Sequence, residues 1–316
     1  MLQGKVAIVT GAGRGLGRAH ALALAAAGAA VVVNDLGGAA DGSGADAAPA
    51  EAVAAEIAAA GGTAIADAHD ISSWREAGEV IHAALAAFGQ LDIVINNAGI
   101  SRFNPIDAET EEGWRRVLDV NLTGTAALTH WAGAHWRKLG PQPHRVIVNT
   151  SSPAGTNPLP GAPAYCASKA AVAALTITSA LELAELGVRV NAIAPMARTR
   201  LTEALPMLDA VMAPVAQGFD RVAPEHVASV LLYLVSPACD FTGRIFGVEG
   251  DDVFLFDGFS AETHLNNAGR PWGVDTLAAA LAGVDRQDRG FAIAPSARYP
   301  GPSPMDSTLA ALRRII

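Results

Sequence analysis

Tyr165 and Lys169 are the two residues whose types and spacing most directly allow chemistry. They stand in Tyr165-Cys166-Ala167-Ser168-Lys169, at the start of an Ala-rich stretch. Four positions apart on a helix, their side chains share one face, one turn from each other. A phenol titrates near pKa ~10, too high for a base at neutral pH. A neighbouring ammonium favours the phenolate and is expected to bring that value down. Tyr165 would then exchange a proton with an alcohol or carbonyl oxygen. Upstream, Asn149-Thr150-Ser151-Ser152 closes an apolar run, and a hydroxyl from either serine could hold that oxygen. A solitary Tyr-x-x-x-Lys usually marks a solvated helix face, so its meaning depends on its company.

That company begins near the N-terminus, with Thr10-Gly11-Ala12-Gly13-Arg14-Gly15-Leu16-Gly17. The cluster follows an apolar β-type run and opens an Ala-rich helical one. Gly11, Gly15 and Gly17 let the backbone approach a pyrophosphate, and the helix start offers free N–H groups and positive dipole. Arg14 and Leu16 share this turn. The spacing differs from the common G-x-G-x-x-G fingerprint, so placement between strand and helix carries the reading. Asp35 ends the next apolar run, about 20 residues on, where a carboxylate can accept hydrogen bonds from adenosine ribose hydroxyls. Its charge would also repel a 2′-phosphate, so NAD is expected over NADP. Arg14 pulls the other way, since a guanidinium there could pair with that phosphate. Asp70 and Ile71 follow the third run and could meet adenine, or form an ordinary loop. Asn97, Ala98 and Gly99 follow the fourth, where small residues let a flat ring lie against the backbone. A cationic nicotinamide would add to the pull of Lys169 on the Tyr165 proton.

The elements that must position these residues alternate along the chain. Strands are expected at 6–9, 30–34, 63–66, 92–95, 145–149, 188–193 and 243–248. Helices are expected at 15–28, 51–60, 73–88, 164–186 and 224–235, with a long helical region between the strands at 92–95 and 145–149, broken around 119–122. Strands apolar on both faces, separated by helices, predict an α/β fold with a doubly wound parallel sheet of Rossmann type. Residues 1–250 read as one domain. Residues 251–316 carry many Gly and Pro and read as a C-terminal extension packed on that domain or on a neighbouring subunit. It holds helical candidates at 274–281 and 307–315. The Gly/Ala/Asp-rich segment 37–49 reads as an exposed, mobile loop.

Composition bounds the function. Of 316 residues, 51% are hydrophobic and 17% charged, enough apolar content for a full core. The net charge of −9 argues against nucleic acid, whose binders need a positive footprint. Two cysteines, Cys166 and Cys239, make neither a disulfide framework nor a zinc ligand set, and no metal is expected. No signal peptide and no apolar run of membrane-spanning length is apparent, so a cytoplasmic protein without a membrane partner is expected.

In this order, TGAGRGLG, NNAG, the Asn of DVNLTGT, the serines before PAG, and YCASK resemble the short-chain dehydrogenase/reductase family over residues 2–248. The resemblance implies a catalytic set of Asn121, Ser152, Tyr165 and Lys169. The family's usual spacing, thirteen residues ahead of Tyr165, selects Ser152 over Ser151. Lys169 would hold the nicotinamide ribose, and a carbonyl freed at Asn121 would hold a water that relays protons. Pro195 and Thr199 would complete the cofactor side, although this chain has Pro195-Met196 where most of the family has Pro-Gly. A homodimer or homotetramer is implied as well.

The run VVVNDLGG with a polar insertion, and APMARTRLT after the sixth strand, look like the (3R)-hydroxyacyl-CoA dehydrogenase unit of the β-oxidation multifunctional enzyme. An apolar alcohol or ketone substrate is therefore expected. Met196, Leu201, Leu205, Met207, Leu208, Val211, Met212 and Phe219 would form an apolar lid, with Arg198 and Arg200 available to CoA phosphates or to surface pairs. The other readings are an NAD(P)-dependent steroid or other alcohol dehydrogenase or carbonyl reductase, and a non-catalytic cofactor sensor. The complete Asn-Ser-Tyr-Lys set speaks against the sensor.

Overall fold

Runs of Val, Ile and Ala that alternate with Ala-rich amphipathic stretches build one eight-stranded sheet with helices on both faces. The structure, a computed structural model, describes residues 1–203, 212–215, 217–256 and 265–282. The strands are β1 (Val6–Thr10), β2 (Ala30–Asn34), β3 (Thr63–Asp67), β4 (Ile93–Asn96), β5 (Arg145–Thr150), β6 (Val188–Met196), β7 (Ile245–Glu249) and β8 (Asp252–Phe256). Their order is β3-β2-β1-β4-β5-β6-β7-β8, parallel from β3 through β7. The connecting helices include α1 (Gly15–Ala26), α2 (Ala48–Ala59), α3 (Trp74–Phe88), α4 (Glu111–Leu118) and α5 (Gly124–Leu139).

Alternate residues of each central strand feed two cores. Val9, Val33, Ile95 and Val148 pack with Leu24, Val53 and Leu231 on one face. Ile8, Val32, Val94 and Ile147 pack with Val80, Leu128 and Trp136 on the other. Helix ends follow local chemistry. Ser73 caps α3 by accepting from the Glu76 N–H, and Gly89 closes it in the left-handed conformation. The chain leaves β1 toward β2 on one side and returns to β4 on the other. The reversal opens a crevice at the C-terminal strand ends, which is where such sheets bind ligands.

Three expectations change. The sheet does not end at 248: the Gly250-Asp251 turn, with Gly250 at φ +61, sends the chain back as β8, antiparallel to β7. Arg221 ties this hairpin by pairing with Glu249, Asp251 and Asp252. Second, the stretch Pro163–Leu186 is long and apolar enough to cross a membrane by length and composition. In the fold it is a core helix, with Val172 and Thr176 fully buried and Ala173 packed on Ala192 and Ala194 of β6. Third, the helical region between β4 and β5 does not break at 119–122; it widens into one π-helical turn, Asp119–Thr123, between α4 and α5. Of the extension, β8 and the helix Val274–Leu281 are described, whereas the candidate at 307–315 lies outside the described residues.

Candidate active site

At the reversal point the glycine loop packs against the end of β4. Thr10 is the fastener: its hydroxyl accepts the Asn97 and Ala98 N–H groups, both at 3.1 Å. The Asn97 amide donates to the carbonyls of Thr10 and Gly11. Gly17 has no room for a side chain, because a Cβ there would lie 2.0 Å from the Gly11 carbonyl oxygen. Arg14 precedes α1 without a side-chain cap, so the first-turn N–H groups get no capping partner from that side chain. Gly11, Arg14, Gly15, Leu16 and Gly17 all line one pocket. A tight loop and a helix start left uncapped at the pocket suit a pyrophosphate.

Asp35 stands at the same wall, buried. Its carboxylate accepts the Gly13 N–H at 2.7 Å and the Gly37 N–H at 2.6 Å. It thus joins the glycine loop to the turn after β2 while still lining the pocket. Asp70 and Ile71 line it too, with Asp70 accepting both the amide and the hydroxyl of Ser72. Segment 37–49 is largely exposed, as expected, yet it folds back, and Gly38, Ala39, Ala40 and Gly42 form part of the pocket wall.

Asn97, Ala98, Gly99, Pro195 and Thr199 continue the lining toward Tyr165 and Lys169. Lys169 is buried at 3% exposure, and its ammonium donates to the Thr150 carbonyl at 2.8 Å. It lies 5.8 Å from the Tyr165 ring centroid. Burial lowers the Lys169 pKa to about 8. Burial also raises the Tyr165 pKa, and a hydrogen bond with Ser152 opposes that rise. The expected fall of the phenol pKa is therefore not a property of these side chains alone. Both groups are short of water, and desolvation penalises phenolate and ammonium alike.

The adjacent serines separate cleanly. The Ser151 hydroxyl donates to the Lys169 backbone carbonyl at 2.8 Å, so it fastens the helix Pro163–Leu183 to the end of β5. Ser152 turns its hydroxyl to Tyr165 and also accepts the Ala154 N–H at 3.1 Å. Asn121 is fully buried in the π-turn. Its amide oxygen accepts the Ile100 N–H, and its nitrogen donates to the Ile100 carbonyl and to Ser168 Oγ. Its own backbone carbonyl accepts the Thr125 hydroxyl at 2.8 Å. The side chain thus braces the loop after β4 against the tyrosine helix.

Residues 5–206 match the family model described as short chain dehydrogenase. The chain belongs to the short-chain dehydrogenase family. It is 40% identical over 286 residues to the hydroxyacyl-CoA dehydrogenase ChsB1 of Mycobacterium tuberculosis, covering 89% of this chain and 88% of that protein. It is 39% identical over 240 residues to peroxisomal multifunctional enzyme type 2 of Drosophila melanogaster, covering 76% of this chain. The chain spans only 38% of that longer protein. A short chain dehydrogenase from Mycobacterium avium superposes with a TM-score of 0.78 at 41% identity, over 89% of this chain and 94% of that one. A 7α-hydroxysteroid dehydrogenase complexed with NADH and 7-oxoglycochenodeoxycholic acid gives 0.68 at 34% identity, over 79% and 94%. The likeness to the multifunctional enzyme expected from the sequence is thus found.

Several contributors to this short-chain dehydrogenase pocket escaped sequence reading. Thr10 and Thr150 stand inside the motifs, but residue type alone does not show what a strand-end hydroxyl or carbonyl will hold. One fastens the glycine loop, and the other offers Lys169 its carbonyl while its own buried hydroxyl has no partner among the described residues. Arg198 is not free for a phosphate: it pairs with Asp220 through both terminal nitrogens and donates to the carbonyls of Met212 and Ala213. Arg200 does line the pocket. Of the apolar lid, Leu201 lines the pocket, Met196 and Met212 are buried, and Phe219 stacks on His226 at 4.5 Å. Leu205, Met207, Leu208 and Val211 lie outside the described residues.

Proposed function

We propose that this dehydrogenase oxidises the hydroxyl of a (3R)-hydroxyacyl-CoA to the ketone with NAD, using Tyr165 as the proton acceptor. The observation that carries the reading is one pocket lined by the buried carboxylate of Asp35 and by Tyr165 and Lys169, with Ser152 hydrogen-bonded to Tyr165. The glycine loop, the uncapped start of α1 and the unpartnered Thr150 hydroxyl in the wall suit a dinucleotide. Gly11, Arg14, Gly15, Leu16 and Gly17 would hold its pyrophosphate and Asp35 its adenosine ribose. Asp70 and Ile71 would meet the adenine. Asn97, Ala98, Gly99, Pro195 and Thr199 would hold the nicotinamide half. NAD in this pocket supplies the hydride acceptor.

The chain's own residues manage the proton. Ser152 hydrogen-bonds the substrate oxygen as charge develops on it. Tyr165 takes the hydroxyl proton as the hydride leaves carbon, and gives it back in the reverse direction. Lys169, held by the Thr150 carbonyl, binds the cofactor ribose and places positive charge near the phenol. Asn121 keeps the loop after β4 in register, and its backbone carbonyl has a second lone pair for a water beside the Thr125 hydroxyl. The acyl-CoA assignment is supported by the relative named for that activity, which aligns over 88% of its own length.

Asp35 sets the cofactor choice through charge. A 2′-phosphate would approach a carboxylate already committed to two backbone N–H groups. Arg14 and Arg200 line the same pocket; burial and, after it, the Arg14 charge lower the Arg200 pKa, and Asp35 opposes them. In Asp35→Ala the two guanidiniums lose their counter-charge and would welcome the phosphate. The ratio of kcat/KM for NAD over NADP is expected to fall about tenfold or more. Steady-state rates with both cofactors check this, and an unchanged ratio would contradict the ribose assignment.

A further inference from the structure

The segment after β2 is held from outside by four donors. The Ser101 N–H donates to the Ala40 carbonyl at 3.2 Å. Arg102 Nε reaches the Asp41 carbonyl, Arg116 the Gly42 carbonyl and Arg200 the Gly38 carbonyl, each at 3.2 Å. These donors come from different parts of the pocket rim: the loop after β4, helix α4, and the segment that follows β6. Only one of the four is a backbone group. The arginines reach carbonyls of a Gly/Ala-rich segment that has few side chains of its own to pack.

Inside, the segment is a turn built on itself. Ala39 N–H donates to the Ser43 carbonyl, Gly42 N–H to the Ala39 carbonyl, and Asp41 accepts from both the amide and the hydroxyl of Ser43. Gly42 sits at φ +86, and a Cβ there would lie 2.7 Å from Ile100 Cδ1 and 3.2 Å from Arg116 Nε. The turn therefore presses against the far wall of the pocket, and only glycine permits the approach. Arg116 does more than hold Gly42: its other nitrogen donates to Ser72 Oγ at 3.1 Å and lies 3.6 Å from Asp70. One guanidinium so joins this segment to the loop on the opposite side of the adenosine half.

We propose that residues 38–42 form a strap closed across the cofactor half of the pocket, and that Arg116 is the positioning residue that keeps it closed. Exchange of the dinucleotide then requires the strap to open. The inference rests on the reading that a dinucleotide occupies this pocket. Arg102 and Arg200 share the load at the two ends of the strap. Because the clamping arginines donate to backbone carbonyls, the device depends on these donors and on the glycine at 42 that lets the strap approach them.

Two measurements test it, the first without any cofactor. The Ser101 amide is protected by the Ala40 carbonyl only while the strap is down. In Arg116→Ala and in Gly42→Ala its hydrogen exchange is expected to rise about tenfold, the equivalent of losing one hydrogen bond to a charged group. The amides of Val9 and Val148 in the central sheet are expected to keep their wild-type rates. The second measurement is release of NADH followed by its fluorescence in a stopped-flow instrument. Both variants are expected to release it about tenfold faster, and Arg116→Lys, which can still donate to the Gly42 carbonyl, is expected to restore part of the slow release. Unchanged release in a protein that binds NADH normally overturns the strap and leaves the dinucleotide reading standing. A parallel rise in exchange at Val9 and Val148 would mean general loosening and also overturns it. Failure of the wild-type protein to bind NADH overturns both.

Discussion

Tyr165→Phe is expected to lower turnover by about 10³-fold, within the range that a positioned proton-transfer group contributes. NADH binding is expected to stay within a few-fold of wild type. The substitution removes one oxygen and keeps the ring. That ring packs on the cluster of Ile100, Val117, Val120 and Ala164, and on Cys166 and Leu159. None of these contacts needs the hydroxyl, so the fold should survive. The loss falls on the proton, because Ser152 can still hold the substrate oxygen but has no base behind it. Fluorescence titration with NADH and initial rates on the same preparation separate the two effects. The wild-type pH profile carries a related sign. Burial raises the Tyr165 pKa, so oxidation of the alcohol, which needs the phenol to accept a proton, should gain rate as pH rises. Ketone reduction should lose it.

Lys169→Met is expected to abolish measurable turnover and, at the same time, to stabilise the protein at neutral pH. The lysine is 3% exposed, and burial brings its pKa from 10.5 to about 8. Below pH 8 the folded protein holds a desolvated ammonium that the unfolded chain holds in water. Between pH 8 and 10.5 the unfolded chain binds more protons, so stability rises with pH across that window. The penalty is complete below it and absent above it. Methionine fills similar volume without charge but leaves the Thr150 carbonyl without its donor. The lost bond offsets part of the gain, leaving about 1–2 kcal/mol in favour of the variant. Chemical unfolding at pH 7 and at pH 10.5 checks this: the advantage should be present at the first and reversed at the second, where the charge penalty is nearly gone but the bond to Thr150 is still missing. A variant less stable at both would mean that the bond to Thr150 outweighs the buried charge.

The same two residues show how far a sequence can be read. Tyr165 and Lys169 were legible as a helix-face pair, and the pocket lining from Gly11 to Thr199 was legible because motif residues sit at strand ends. The sheet was legible as well, since β1, β2, β4 and β5 are apolar on both faces. The direction of the Tyr165 pKa was not. Spacing shows that an ammonium is near, whereas the shift is decided by how much water the fold removes. Strand β8 was missed because Asp251 and Asp252 are poor strand formers, and the acids are tolerated only through Arg221, some thirty positions earlier. Segment 37–49 has the composition of a mobile loop. What holds it are arginines at 102, 116 and 200, distant in sequence, donating to backbone carbonyls that no residue pattern reveals. Asn121 was placed at a break, but a π-turn keeps the helix continuous and turns its amide inward.

The most direct measurement of the central claim is the initial rate of NAD reduction with matched (3R)- and (3S)-hydroxyacyl-CoAs, beside hydroxysteroids and simple cyclic alcohols. NADP should be run in parallel. The account predicts NAD-linked oxidation of the (3R) thioesters, with little rate from the (3S) series or from NADP. Turnover confined to steroids or cyclic alcohols, or to the (3S) thioesters, would contradict it.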